Sequence, residues 1–377
     1  MPARFIFTLT LCLLASFGHS FASRMNLTFS VVKKGDPQYQ FSSIAFGNNT
    51  LVVCGNVSSF ASTNGVDWQL LPMTGGSVIY AAGRFVVANG SFWTSTDGFN
   101  WRSTLADDGP NNVAYGNGVF VANGRSSLYY SFDAEHWTRL PQQGGTTFMG
   151  VEYGNGLFIT YGTYLMFPNP TPGIVIGYST NGTNWSIGSP GQQNYIFPST
   201  FAWGNFYSAT ATSPDGINIT PWSAFSQSQF VKYVGNRLIG FRSDSPDVII
   251  SASEGFDNLN RPLGRYQYTT GVTNHLNAAA FDGSEYYFVG AGEIILKTKG
   301  VPPPATLTFG KIEDQTVTLG VTGVPGMTYG LQTIGNDAGV LPQLGSNSIL
   351  DFTLDGPTTN ITAPLYVFGA IYRLVER

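Results

Sequence analysis

The sequence predicts an all-β chain: a seven-bladed β-propeller closed by its N-terminal strand, followed by a small β-sandwich. Three observations carry that expectation. A unit of four short alternating apolar runs recurs along the chain, its last copy lacks the fourth run, and a leftover alternating strand precedes the first copy.

The clearest unit runs from Asn112 to Leu140, NVAYGNGVFVANGRSSLYYSFDAEHWTRL. Its apolar runs are Val113 to Tyr115, Val119 to Ala122, Leu128 to Ser131 and His136 to Leu140, separated by Gly116-Asn117-Gly118, Asn123-Gly124 and Asp133-Ala134. Runs this short, joined by Asn-Gly turns, form consecutive β-hairpins, so the unit reads as antiparallel strands a, b, c and d. Residues 44 to 71, 78 to 105 and 151 to 187 repeat it, with weaker copies at 201 to 222, 231 to 259 and 279 to 299. One four-stranded sheet cannot bury both of its faces alone, and repeats of about 30 to 50 residues therefore stack radially. The copy at 279 to 299 offers nothing resembling strand d before the prolines at 302 to 304, whereas Leu27 to Lys34 is an alternating strand without a blade. Pairing the two closes the ring with seven blades and leaves no open sheet edge.

The c-to-d junctions share a pattern: Ser62, Asn64 and Trp68; Ser95, Asp97 and Trp101; Ser131, Asp133 and Trp137; Ser179, Asn181 and Trp185. Short polar side chains at such spacing bond nearby backbone N–H groups and close a turn. The pattern Ser-x-Asp-x-x-x-Trp resembles the Asp box of sialidase-type propellers. That resemblance implies a turn whose carboxylate or amide accepts backbone N–H bonds, a Trp packed between blades, and a structural role for all twelve residues. Sialidase activity itself is not expected, because the family's Arg-Ile-Pro motif is missing and Leu27 to Phe46 holds no arginine.

The chain has 377 residues, 42% hydrophobic and 11% charged, enough apolar side chain for a large β core. A formal net charge of -4 provides no basic patch for nucleic acid. Residues 1–22 combine Arg4, an apolar run from Phe5 to Phe17 and the small residues of Ser20-Phe21-Ala22, which reads as a signal peptide too short to span a bilayer. A secreted, periplasmic or extracellular protein without an integral membrane span is therefore expected, with the propeller over 23–300. Beyond that leader one cysteine remains, Cys54, at a strand-b position filled by Ala88 and Ala122 in neighbouring copies. It reads as a small buried thiol and not as a reactive one. The Asn-x-Ser/Thr sequons, Asn89 and Asn184 among them, reflect turn composition.

Behind a Pro-rich linker at 301–305 the repeat disappears. Gln315 to Val321, Met327 to Gln332, Ile349 to Leu354 and Leu365 to Leu374 read as strands of a sandwich over 306–377. This stretch resembles the immunoglobulin-like or fibronectin-like modules appended to secreted bacterial proteins.

In such a ring the b–c and d–a loops share one face, and the a–b and c–d turns share the other. Three connections on the first face are elaborated, which points to ligand binding there. They supply Tyr161, Tyr164 and Phe167 from the fourth copy, Arg242, Asp244 and Asp247 from the sixth, and Arg261, Arg265, Tyr266 and Tyr268 between the sixth and seventh. Strand a lines the channel. Two positions before its turn glycine stand Ala45, Ala81, Ala114 and Ala202, but Glu152 in the fourth copy, and Lys232 takes the comparable place in the sixth. A charge at a crowded channel position is costly unless solvated or paired. The expected function is non-catalytic binding of a glycan or an extracellular protein, since aromatic, weakly charged loops suit sugar faces. An enzymatic alternative would pair Glu152 with Asp244 across the distance that carboxylate hydrolysis needs. With three histidines, one of them in the leader, and no phosphate-binding loop or CxxC, the sequence implies neither metal nor cofactor.

Overall fold

A computed structural model describes residues 27–141, 145–165, 172–188, 196–251, 261–262 and 265–299, together with six strands between 306 and 376. Among the described residues every regular element is a strand. Seven four-stranded antiparallel sheets succeed one another as blades 1 to 7. Their innermost strands are Phe41–Gly47, Ser77–Ala81, Asn112–Gly116, Thr146–Gly154, Thr200–Ala202, Phe230–Val234 and Leu276–Phe281.

The ring closes as expected. Thr28–Lys33 lies outermost in blade 7, antiparallel to Ile294–Lys299, with Thr28 opposite Lys299 and Val31 opposite Leu296. The chain then crosses to blade 1 through a tied segment: Gly35 N–H donates to Gly292 O at 3.1 Å and Gly292 N–H to Tyr39 O at 2.7 Å. Glu293, buried in the same seam, accepts the hydroxyl of Ser58 from blade 1.

In blades 1 to 6 the inner strand turns into strand b through a two-residue loop in which both residues have positive φ: 43° and 55° at Asn48 and Asn49, 48° and 78° at Asn117 and Gly118. That is the turn whose twist matches a hairpin, and Asn and Gly tolerate it best. In blades 2, 5 and 6 the same two places are held by Ala82 and Gly83, Trp203 and Gly204, and Gly235 and Asn236. Counting from the glycine therefore misaligns two blades. The rung of Ala45 and Ala114 is Ile79 in blade 2 and Thr200 in blade 5, not Ala81 and Ala202, whereas Glu152 and Lys232 do share it. Ala81 and Ala202 stand instead where other blades have Gly47, Gly116 and Gly154. In these blades the residue is small because an aromatic ring from the next blade covers it: a Cβ on Gly47 would lie 2.0 Å from the Tyr80 ring, and one on Gly154 2.0 Å from that of Phe201.

Blades pack face to face. Val86, Phe92, Val113, Phe120 and Ala122 form one such layer between blades 2 and 3, where the Trp137 ring stacks on Phe92 at 3.7 Å. Cys54 is fully buried as expected, and burial pushes its thiol up to about 12 against the opposing bond from Ser59.

The c–d turns have the expected wiring. Ser95 Oγ accepts Gly98 N–H at 2.9 Å, Asp97 Oδ1 accepts the N–H groups of Phe99 and Asn100 at 2.8 Å each, and Trp101 Nε1 donates to Gly98 O at 2.8 Å. Partial burial opposes ionisation of Asp97, but the bonds from Asn100, Phe99 and Ser95 outweigh it and bring the carboxyl to about 2. Asn64, Asp133 and Asn181 make the same pair of backbone bonds. Blade 5 has a fifth such turn, in which Asp215 Oδ1 accepts Ile217 and Asn218 N–H at 2.9 and 2.7 Å. Its Ile219 replaces the tryptophan, which hid it in the sequence.

Near the C-terminus, Thr306–Glu313, Thr316–Thr322 and Thr358–Pro364 form one three-stranded sheet, and Ser346–Thr353, Thr328–Ile334 and Ile371–Glu376 another. The expected strand from Leu365 to Leu374 is thus replaced by two, one ending at Pro364 and one starting at Ile371. The linker at 301–305 lies outside the described residues.

Candidate functional site: the central channel

An inner strand has a neighbour on one side only, so half of its backbone groups face the channel unpaired. Polar side chains at the ends of these strands meet that need by bonding across to the next blade. Ser43 Oγ accepts Val78 N–H at 3.1 Å, Asn112 Oδ1 accepts Val151 N–H at 3.3 Å, Thr200 Oγ1 accepts Tyr233 N–H at 3.1 Å, and Asn277 Nδ2 donates to Phe41 O at 2.8 Å. The resulting cavity measures about 780 Å³ and is lined by Ser43, Ser77, Asn112, Glu152, Lys232 and Asn277, among others.

Glu152 is the exception in this wall. It is half-buried, and among the described residues no side chain or backbone group donates a hydrogen bond to it. Burial pushes its carboxyl up, and the charge of Lys232 pulls the other way. Lys232 Nζ donates instead to Ser199 O at 2.8 Å. On the loop side of Glu152, the Tyr161 and Phe197 rings meet at 5.0 Å with an interplanar angle of 31°. Burial, then the nearby Glu152 charge, raise the Tyr161 phenol above its ordinary value.

The other expected ligand residues are placed differently. Strands b and c of blade 4, Leu157–Leu165 and Pro172–Ser179, stay paired up to Leu165 and Pro172, so the hairpin stands taller than its neighbours. Tyr161 and Tyr164 are therefore rungs of that hairpin, opposite Gly150 and Thr146, and not loop residues. Phe167 lies outside the described residues. In blade 6 the outer strand is Arg265–Tyr268, later than the sequence pattern placed it. Arg265 pairs with Ser251 at the turn end of that blade, while Arg242 follows strand b at the loop end. Arg261 donates to Pro221 O at 3.2 Å, Tyr268 is 4% exposed, and Tyr266 packs on the same core between blades 6 and 7. The three arginines thus do not converge.

Asp244 is bound by Arg242 through two bonds of 2.9 and 2.7 Å, and this partner holds its carboxyl below the ordinary range. It does not line the channel, so Glu152 and Asp244 are not assembled as a carboxylate pair. Among the described residues no group of three or more His, Cys, Asp or Glu is placed to hold a metal ion, and no helix is long and apolar enough to cross a membrane. Sequence reasoning passed over Phe197, Thr200, Asn112 and Asn277. The last two were visible as polar residues opening otherwise apolar inner strands.

Fold and channel together define a seven-bladed β-propeller with an axial cavity of mixed polar and apolar lining. No protein-family model matches the sequence, and no curated protein does. Two solved structures of virginiamycin B lyase from Staphylococcus aureus are similar in fold. A catalytically inactive variant with quinupristin superposes with a TM-score of 0.52 at 11% identity, and a selenomethionine-substituted form with 0.55 at 10%, each over 73% of this chain and 100% of the other. At that identity the likeness is one of fold.

Proposed function

We propose that this chain is a secreted, non-catalytic recognition propeller of the Asp-box type, whose ligand is a carbohydrate or another cell-surface component. In this reading the ligand enters the channel beside blade 4, and the two C-terminal sheets pack as a small sandwich. One observation carries it: the third rung from the turn is Ala45, Ile79, Ala114 and Thr200 in blades 1, 2, 3 and 5, yet in blade 4 it is Glu152, a carboxylate without a donor among the described residues. A half-buried, unsatisfied charge lowers stability, and such groups concentrate at functional sites. The Tyr161 and Phe197 rings beside it offer flat faces on which a sugar can stack. The enzymatic alternative needs a second carboxylate at the channel, and Asp244 is tied to Arg242 outside it.

A glycan-array screen of residues 23–377, with Glu152→Gln and Tyr161→Ala variants, tests the reading. Binding that weakens in both variants, with the bound glycan intact, is the expected result. Cleavage abolished by Glu152→Gln would place the chain among the enzymes, and silence across the array would leave an extracellular protein as the partner.

A further inference from the structure

The two channel charges stand at one height. Glu152 and Lys232 are each the third rung from the turn, on blades 4 and 6, and Thr200 holds that rung on blade 5 between them. Thr200 is already committed to Tyr233 N–H at 3.1 Å. Glu152 and Lys232 are not bonded to each other: the carboxylate has no donor among the described residues, and the ammonium uses one N–H on Ser199 O at 2.8 Å. Two donors of Lys232 and all acceptor sites of Glu152 are therefore unspent, and both residues line the same cavity of about 780 Å³.

The sign pattern selects the ligand. A cation would gain from Glu152 and be repelled by Lys232, and an anion would meet the reverse. A neutral polyol can hydrogen-bond to both groups but brings no counter-charge into contact with either, leaving them only their longer-range attraction for one another. A ligand with both signs satisfies both groups and is favoured over each single-signed analogue. We infer that the channel sector from blade 4 to blade 6 binds a zwitterionic saccharide, with its ammonium on Glu152 and its carboxylate on Lys232. On the flanking blades 3 and 7, the Asn112 amide N–H₂ and the Asn277 amide oxygen are uncommitted among the described residues and would take hydroxyl groups. This inference deepens the recognition reading above and rests on it.

Four probes that differ only at the two charged positions separate the cases: muramic acid, with both groups; N-acetylmuramic acid, with the carboxylate; glucosamine, with the ammonium; and N-acetylglucosamine, with neither. Calorimetric titration of residues 23–377 should show muramic acid binding at least about tenfold more tightly than each of the others. Glu152→Gln should erase its advantage over N-acetylmuramic acid, and Lys232→Met its advantage over glucosamine. The double variant removes one charge of each sign, so at neutral pH it should melt no lower than the native chain while the dipolar preference is lost. Equal affinity for muramic acid and N-acetylglucosamine would overturn the inference, as would a preference that survives in the double variant. Heat from none of the four probes, with binding to other glycans on the array, would overturn it and leave the recognition reading standing; silence in both assays would overturn it and remove the carbohydrate part of that reading as well.

Discussion

Blades 2 and 3 and blades 4 to 6 are built from one repeat and use it differently. In blades 2 and 3 the inner strands have five residues each, both c–d turns carry the full set of Ser, Asp and Trp bonds, and the layer between the blades has an aliphatic and aromatic core. Blade 4 has strands of nine, nine and eight residues, blade 5 strands of three, and both channel charges fall on blades 4 and 6. A closed ring permits this because each blade is held by its neighbours on both faces, and no single blade has to be stable alone. The regular sector can hold the ring shut while the irregular one departs from the best packing.

The largest expected effect tests the closure on which both sectors depend. Deleting residues 27–33 leaves Ile294–Lys299 as an unpaired edge and strips Phe29 from the core that holds Phe288 and Leu296. The cooperative melting transition should disappear and the chain should self-associate, as followed by calorimetry and light scattering. A sharp native-like transition would show that the N-terminal strand is dispensable.

Next come paired truncations, one in each sector. Phe92 is 1% exposed and contacts Tyr129 and Trp137, so Phe92→Ala should cost about 3–5 kcal/mol in denaturant unfolding. Phe197 is half-buried, and Phe197→Ala should cost about 1 kcal/mol while weakening ligand binding. Equal costs would remove the distinction between scaffold and site.

The turns give a smaller effect with a pH signature. Asp97→Ala should lose about 1–2 kcal/mol, because two backbone N–H groups lose their acceptor, whereas Asp97→Asn should retain most of the stability, as Asn64 and Asn181 show in their own blades. A carboxyl lowered from 3.8 to about 2 contributes stability that is present above the unfolded value and lost as pH falls through the folded one. Acid titration of stability between these values should therefore flatten in the Asn variant.

The smallest effect has the opposite sign. Burial raises the carboxyl of Glu152, so its folding penalty is absent at low pH and grows as pH rises from the unfolded value through the folded one. Glu152→Gln should melt at the native temperature in acid and above it at neutral to alkaline pH. A lower melting temperature at neutral pH would mean that Glu152 stabilises the ring, and that the channel charge needs no functional explanation.

Much of this was legible in the residues. The repeat, the closing strand and the turn wiring depend on contacts close in sequence or on a count of strands, and the pattern at Ser95, Asp97 and Trp101 states its own hydrogen bonds. The inner-strand register was less legible, because glycine serves two purposes: in Gly83 and Gly204 it takes a positive φ, and in Gly47 and Gly154 it makes room for a ring from the next blade. Sequence alone does not say which. The arginines failed for a related reason. Strand d of blade 6 starts at Arg265, after a connection whose length follows no repeat, so Arg242 and Arg265 fall at opposite ends of one blade.

By itself the sequence determined the class of fold, the number of blades, the strand that shuts the ring and the local chemistry of its turns, because hydrophobic period and turn preference act over a few residues. The tertiary structure decided which of many polar groups share a cavity. Glu152, Thr200 and Lys232 lie far apart in the chain and reach one rung only when blades 4, 5 and 6 stand side by side, and Phe197 reaches Tyr161 only when blade 5 follows blade 4 in the ring. Their meeting depends on register and radial packing, which no local pattern encodes.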